Sequence, residues 1–199
     1  MAVLATDTFD RANEVPLASP WVDGGEPGTF SLLSNAVTPT SFETNAVFWR
    51  GGITWPNDQY SQAELATTNT VGSDGPGLGV RITAGLNYYR ITASHGTTNN
   101  TRLIKKVNTT VTELWLRTQA WTSGDTVLLQ IISTTLTAKI NGVAIGADAT
   151  DSSHASGNTG VAYDPNSVDA TIENWEGGDF VGATSLPPSR RRMHGVLGR

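Results

Sequence analysis

The 199-residue chain contains no cysteine. A disulfide framework, a zinc–thiolate site and a cysteine nucleophile are therefore excluded. Charge is scarce too, with 16% of residues Asp, Glu, Lys or Arg, less than a helical protein rich in Glu, Lys, Leu and Ala would carry. No run approaches the ~20 apolar residues needed to cross a bilayer, so no membrane partner is expected. Met1-Ala-Val-Leu-Ala-Thr-Asp7 has neither a basic segment nor a long apolar core. The expectation is a soluble chain made in a cytoplasm without a signal peptide. Histidines are few: His95 and His154 sit in polar stretches and His194 near the end. With no Gly-x-Ser-x-Gly elbow, serine-hydrolase chemistry has no footing.

What the chain does have is Thr, Ser, Asn and 21 Gly, the composition of short strands joined by tight turns. The clearest stretch is Thr126 to Ala147. Val127 to Ile132 is apolar and β-branched. Leu136, Ala138 and Ile140 alternate with Thr137 and Lys139, the period-two signature of a half-buried strand. Asn141-Gly142 then marks a hairpin, because both central residues of such a turn need positive φ. Similar readings place strands at Phe30 to Val37, Thr44 to Trp49, Asp58 to Ala66, Leu78 to Thr83, Asn87 to Ala93, Arg102 to Val107, Leu114 to Trp121 and Ala170 to Glu176. Turn signals recur at the spacing of sandwiches and barrels. Pro16, Pro20 and Trp21 read as a loop dropping an aromatic into the core.

Charge is unevenly placed. Lys and Arg number 13 against 18 Asp and Glu, a net charge of −5. Four of the basic residues, Arg190, Arg191, Arg192 and Arg199, lie in an acid-free tail, which leaves nine against 18 in the body. A body this acidic does not suit nucleic acid, which needs clustered positive charge. Pro187-Pro188 and the Arg run set residues 182–199 apart as an extended basic arm following a single domain at 1–181. Within the arm, Met193, Val196 and Leu197 could act as apolar anchors beside the arginines for docking on an acidic neighbour; a disordered, solvated end fits the same composition as well.

In its strand and turn chemistry the chain resembles the concanavalin A-like lectin/glucanase superfamily, in its laminin-G-like branch. The likeness is carried by Asp7-Thr-Phe-Asp-Arg-Ala-Asn13, Asp58-Gln-Tyr-Ser-Gln-Ala63, Gly124-Asp-Thr-Val-Leu-Leu-Gln130, Thr135 to Val143, Ala155 to Ala162 and Ile172 to Gly178. The resemblance implies an all-β, two-sheet antiparallel jelly-roll sandwich, with first and last strands side by side and Phe9 near Trp175. It also implies glycan binding on the concave face or rim, sometimes with calcium. Glycosidases of that superfamily carry Glu-x-Asp-x-x-Glu on one strand. The nearest match, Glu173-Asn-Trp-Glu176, lacks the Asp, and its spacing puts the two acids on opposite faces of a strand.

Strand alternation places Trp115, Arg117, Gln119 and Trp121 on one face, and Tyr88 and Arg90 on another such face. Gln130 and Lys139 are candidates to extend it. Rings that stack on sugars beside planar polar groups are how glycans are held. The alternative, tryptophans filling the inter-sheet core with Arg stems across them, fits the pattern at least as well. Asp148, Asp151, Asp164 and Asp169 could supply oxygen ligands for calcium at the loop rim, although turn acids more often cap turns. No cofactor is expected.

An exterior-type fold without a secretion signal, joined to a basic arm, points to a non-catalytic bacteriophage virion surface protein. It would be a head decoration or a fibre or tail component, docked on other virion proteins through its arm and homo-oligomeric. The alternative is a soluble lectin-like module that binds surface glycans. A glycoside hydrolase is a distant third.

Overall fold

The computed structural model describes residues 1–40, 45–67, 75–94, 100–164 and 171–180. Among them are sixteen strands and no helix. In chain order these are β1 (Ala2–Asp7), β2 (Trp21–Asp23), β3 (Phe30–Leu33), β4 (Ala36–Pro39), β5 (Ala46–Arg50), β6 (Gln59–Thr67), β7 (Pro76–Thr83) and β8 (Asn87–Ser94). Then come β9 (Asn100–Val107), β10 (Thr110–Thr118), β11 (Thr126–Ile132), β12 (Thr135–Ile140), β13 (Val143–Ala144), β14 (Ala149–Thr150), β15 (Asn158–Tyr163) and β16 (Thr171–Asp179).

They form two antiparallel sheets. The nine-stranded sheet runs β13-β12-β11-β6-β16-β4-β3, with β1 on β16 and β14 on β12; the seven-stranded sheet runs β10-β9-β8-β7-β15-β5-β2. Chain ends of the described body meet in one ladder, since Asp7 pairs with Trp175 and Thr6 with Glu176. Trp21 bridges Phe9 and Trp175, with ring centroids 5.6 and 4.8 Å away. The Asp7 carboxylate fixes that corner by accepting from Trp21 Nε1 at 2.7 Å and from the Phe9 amide at 2.8 Å. This is the all-β, two-sheet jelly-roll sandwich that the resemblance implies.

Alternation fills the space between the sheets. Leu65, Leu129, Ile131, Leu136 and Trp175 face Phe48, Leu78, Tyr89, Ile91, Leu103 and Val161 in one buried cluster. Each such side chain contributes about 1.5–3 kcal/mol by leaving water. The intervening residues of the seven-stranded sheet, Val47, Ile82, Tyr88, Ile104 and Ala162, form a second, smaller cluster on its outer face, with Trp49 against it.

Local signals worked where chemistry is local. Asn141 and Gly142 have φ of 50° and 79°, as the hairpin requires. Elsewhere the chain departs from the reading. Phe30 to Val37 is not one strand but the β3–β4 hairpin, turned at Ser34 and Asn35 with φ of 52° and 65°. The strand expected to reach Trp121 ends at Thr118.

Candidate functional site

Arg81 is an anomaly within the apolar strand β7, between Val80 and Ile82. It sits at a break in register with φ 50°, which lifts its side chain out of the sheet alternation. At 3% exposure its donors must be met inside the protein. They are met by main-chain carbonyls. Nη1 donates to His154 O at 2.6 Å, and Nη2 donates to Ser133 O at 2.7 Å and Asn57 O at 2.9 Å. Nε donates to Asn57 O at 3.1 Å. One guanidinium thereby ties together the β5–β6 loop, the β11–β12 turn and the β14–β15 loop. Burial lowers its pKa from the ordinary arginine value, with Tyr89 and Asp58 offsetting part of that.

Gln59, fully buried, repeats the device. Its Nε2 donates to Pro56 O at 2.6 Å and Gly157 O at 3.0 Å, and its Oε1 accepts the Arg81 amide at 3.0 Å. Asp58 Oδ1 accepts the Ser133 amide at 2.6 Å. Hydrogen bonds involving charged groups are worth about 1.5–3 kcal/mol each, so these loops are held in one arrangement.

A second cluster braces the same end. The Tyr89 hydroxyl donates to Asp151 Oδ1 at 2.7 Å and accepts the His154 amide at 3.1 Å. Lys105 Nζ donates to Asp151 Oδ2 at 2.5 Å and to Ser153 Oγ at 2.9 Å. His154 Nε2 lies 2.8 Å from Lys106 O, so this nitrogen carries the proton. Burial alone would raise the Asp151 carboxyl, but bonds from Lys105, Ser153 and Tyr89 outweigh it and hold it well below the usual carboxylate range. Burial lowers the His154 imidazole, and it pushes the Tyr89 hydroxyl up to about 12.

Both the Asp151 and His154 shifts are downward, so each contributes stability that is complete at higher pH and lost on acidification. For His154 the loss begins as pH falls below about 6.5, and for Asp151 below about 4. Urea midpoints measured from pH 8 to pH 3 are expected to fall in these two windows. His154→Gln should flatten the first and Asp151→Asn the second. A profile unchanged by both substitutions would show that neither group is coupled to folding.

Between these loops lies a cavity of about 680 Å³. Pro56, Ala155 and Phe180 give it apolar surface; Asn57, Asp58, Ser133, Thr134, Ser152 and Asp179 give it polar surface. The buried Arg81 and His154 complete the lining. Phe180 is held edge-on against Tyr60, centroids 6.1 Å apart, and its amide donates to Asp58 O at 3.1 Å. An aromatic ring beside convergent hydroxyl, amide and carboxylate groups can hold a sugar ring by its apolar face and its hydroxyls together.

The six residues singled out from sequence do not meet in one place. Trp115 and Trp121 belong to the inter-sheet core. Trp121 Nε1 donates to Thr101 Oγ1 at 2.9 Å. Arg117 and Gln119 are exposed, and the Arg117 guanidinium lies 5.5 Å from the Trp115 ring centre. Tyr88 and Arg90 lie on the outer face of the seven-stranded sheet, both buried. Tyr88 donates to Glu26 Oε1 at 2.7 Å, an oxygen that also takes Lys106 Nζ at 2.5 Å. Arg90 pairs with Asp164 and donates to Asn45 Oδ1 at 2.7 Å. Gln130 and Lys139 belong to the other sheet and extend neither group.

The acids also fall differently from the alternation rule. A bulge at Asn174, with φ 48°, puts Glu173 opposite Glu64 and Glu176 opposite Gln62. Glu64 and Gln62 share a face of β6, so Glu173 and Glu176 share it too, contrary to the sequence expectation. Glu176 Oε1 accepts from Tyr60 and Gln62, each at 3.2 Å, and Glu64 Oε2 accepts from Asn174 at 3.0 Å. Of the rim acids, Asp151 is bound to Lys105, and Asp164 to Arg90 and Thr92. Asp148 is exposed. Among the described residues no three His, Asp or Glu groups converge as metal ligands. Asp169, His95, His194 and the arm residues Arg190, Arg191, Arg192, Met193, Val196, Leu197 and Arg199 lie outside the described residues.

Sequence reading missed Arg81, Gln59 and Phe180. One signal was present: a lone arginine in Leu78-Gly-Val-Arg-Ile82, a run too apolar for a solvated strand, implies buried acceptors.

No family model matches the chain, and no curated protein matches it in sequence. Solved structures do match in fold. The carbohydrate binding module CBM66 from Bacillus subtilis superposes with a TM-score of 0.66 at 13% identity, covering 80% of this chain and 95% of that one. The exoplasmic/lumenal domain of VIP36, in a Ca2+- and Man-bound form, gives 0.57 at 12% identity, with 83% and 85% covered. The GH43 BlXynB protein from Bacillus licheniformis gives 0.53 at 9% identity, where 88% of this chain covers 39% of that protein. These likenesses establish the concanavalin A-like jelly-roll fold.

Proposed function

We propose that this chain is a non-catalytic glycan-binding module and that its sugar seats in the loop-rimmed cavity beside Phe180. The observation that carries this reading is a preformed basin of about 680 Å³ with one aromatic wall and convergent polar groups. Its loops are fixed from behind by Arg81 and Gln59, so little ordering entropy is lost on binding. The fold neighbours include a carbohydrate binding module and a mannose-bound domain, which supports glycan binding more than a particle-surface role.

A glycan array should return hits for the native chain, and Phe180→Ala should weaken the best of them at least tenfold while the protein stays folded. Arg117→Ala and Gln119→Ala test the exposed edge of the seven-stranded sheet. Loss of binding there, with retention in Phe180→Ala, would move the site to that edge. Incubation with bound oligosaccharides is expected to release no reducing ends. Release abolished by Asp58→Asn or Asp179→Asn would make the basin an active site instead. A place on a virus particle, anchored by residues 182–199, is a separate proposal, and absence of the chain from purified particles by mass spectrometry would end it.

A further inference from the structure

We infer that the basin selects neutral and amino-bearing sugars and discriminates against acidic ones. This rests on the glycan-binding reading and refines it. An arginine in a sugar site ordinarily suggests an anion-binding group, since its fork matches carboxylates and sulfates. Here that role is taken away. The Arg81 guanidinium is 3% exposed, and its Nε, Nη1 and Nη2 are all donating to the main-chain carbonyls of Asn57, Ser133 and His154. Four of its five N–H groups are thus engaged, so an incoming anion could take a bidentate fork only by displacing bonds that hold the loops together.

Lys105, in the cluster that braces the same end, is also spent, because it lies 2.5 Å from Asp151. His154 gives its Nε2 proton to Lys106 O. What remains on the lining is a surplus of acceptors. Asp58 uses Oδ1 for the Ser133 amide and stands 4.0 Å from Arg81. Asp179, on the same lining, has no side-chain hydrogen bond or ion pair among the described residues. A ligand ammonium or hydroxyl donor therefore finds ready carboxylate acceptors. Among the described lining residues a uronate or sulfate finds two like charges and no cation with a free fork or ammonium, and like-charge juxtaposition is an effective device of rejection.

The test uses the full chain on an array of matched oligosaccharides of one linkage in three forms: hexose, 2-amino-2-deoxyhexose and hexuronate. It is run at low salt with EDTA, and affinities are then measured by titration calorimetry. The hexuronate form is expected to bind at least tenfold more weakly than its hexose counterpart. Asp58→Asn/Asp179→Asn should remove that gap and should weaken the amino form at least tenfold. Tighter binding of the hexuronate, lost in Phe180→Ala, would overturn the inference and leave the glycan reading intact. So would binding that vanishes in EDTA, since the carboxylates would then be serving an ion. Absence of any hit, or hits indifferent to Phe180→Ala and to both Asp substitutions, would overturn the glycan reading at this site and the inference with it.

Discussion

Arg81→Met is expected to cost about 3 kcal/mol or more of folding stability and to abolish ligand binding, although Arg81 need not touch the ligand. Methionine keeps the unbranched stem of the side chain and removes the guanidinium, so packing along the stem is largely kept. What is lost is the partner of three carbonyls on separate loops, Asn57, Ser133 and His154. Each buried acceptor left unpaired costs about 1–3 kcal/mol, unless the loop opens to water. Opening relieves the penalty and destroys the basin. Hydrogen exchange should therefore speed up at residues 56–59, 132–135 and 152–157 together, ahead of the sheet interior. Arg81→Lys is not expected to rescue, because a single ammonium cannot reproduce a fork that serves three loops. Native-like exchange in all three segments of Arg81→Met would show that the loops are ordered without it.

The second large effect concerns Trp121. Taken as a sugar-stacking residue, its replacement by alanine should leave the fold intact and remove binding. Its burial reverses that expectation. At 2% exposure, within the inter-sheet core and donating to Thr101, Trp121→Ala is expected to destabilise by about 3–5 kcal/mol. Thr101 Oγ1 in turn donates to Gln119 O at 2.9 Å, so loss of the indole also loosens the chain where β10 ends. Arg117→Ala, at an exposed position, should change stability by no more than about 0.5 kcal/mol. Urea denaturation of the two variants separates a packing residue from a surface one. Equal, small effects would mean that Trp121 is not part of the core.

Not every pattern that alternates on paper survives contact with a real sheet. Trp115-Leu-Arg-Thr-Gln-Ala-Trp121 reads as seven alternating residues, yet the strand stops at Thr118 and the register slips between Glu113 and Trp115. Beyond a strand end, parity no longer assigns a face. The same failure, in the opposite sense, joined Glu173 and Glu176 on one face through the bulge at Asn174. A bulge inserts one residue and resets the count, and Asn-Trp carries no strong local sign of it.

The chain by itself determined that it would be built of antiparallel strands. Apolar alternation and turn residues such as Asn141-Gly142 act over a few residues, and a local cause leaves a local trace. It also excluded every cysteine-based chemistry outright. Only the tertiary structure decided where a ligand could sit. The groups that shape the basin are backbone carbonyls 24, 52 and 73 residues from Arg81, and a carbonyl belongs to every residue type alike. No side-chain pattern can announce it until folding has brought the loops to one end.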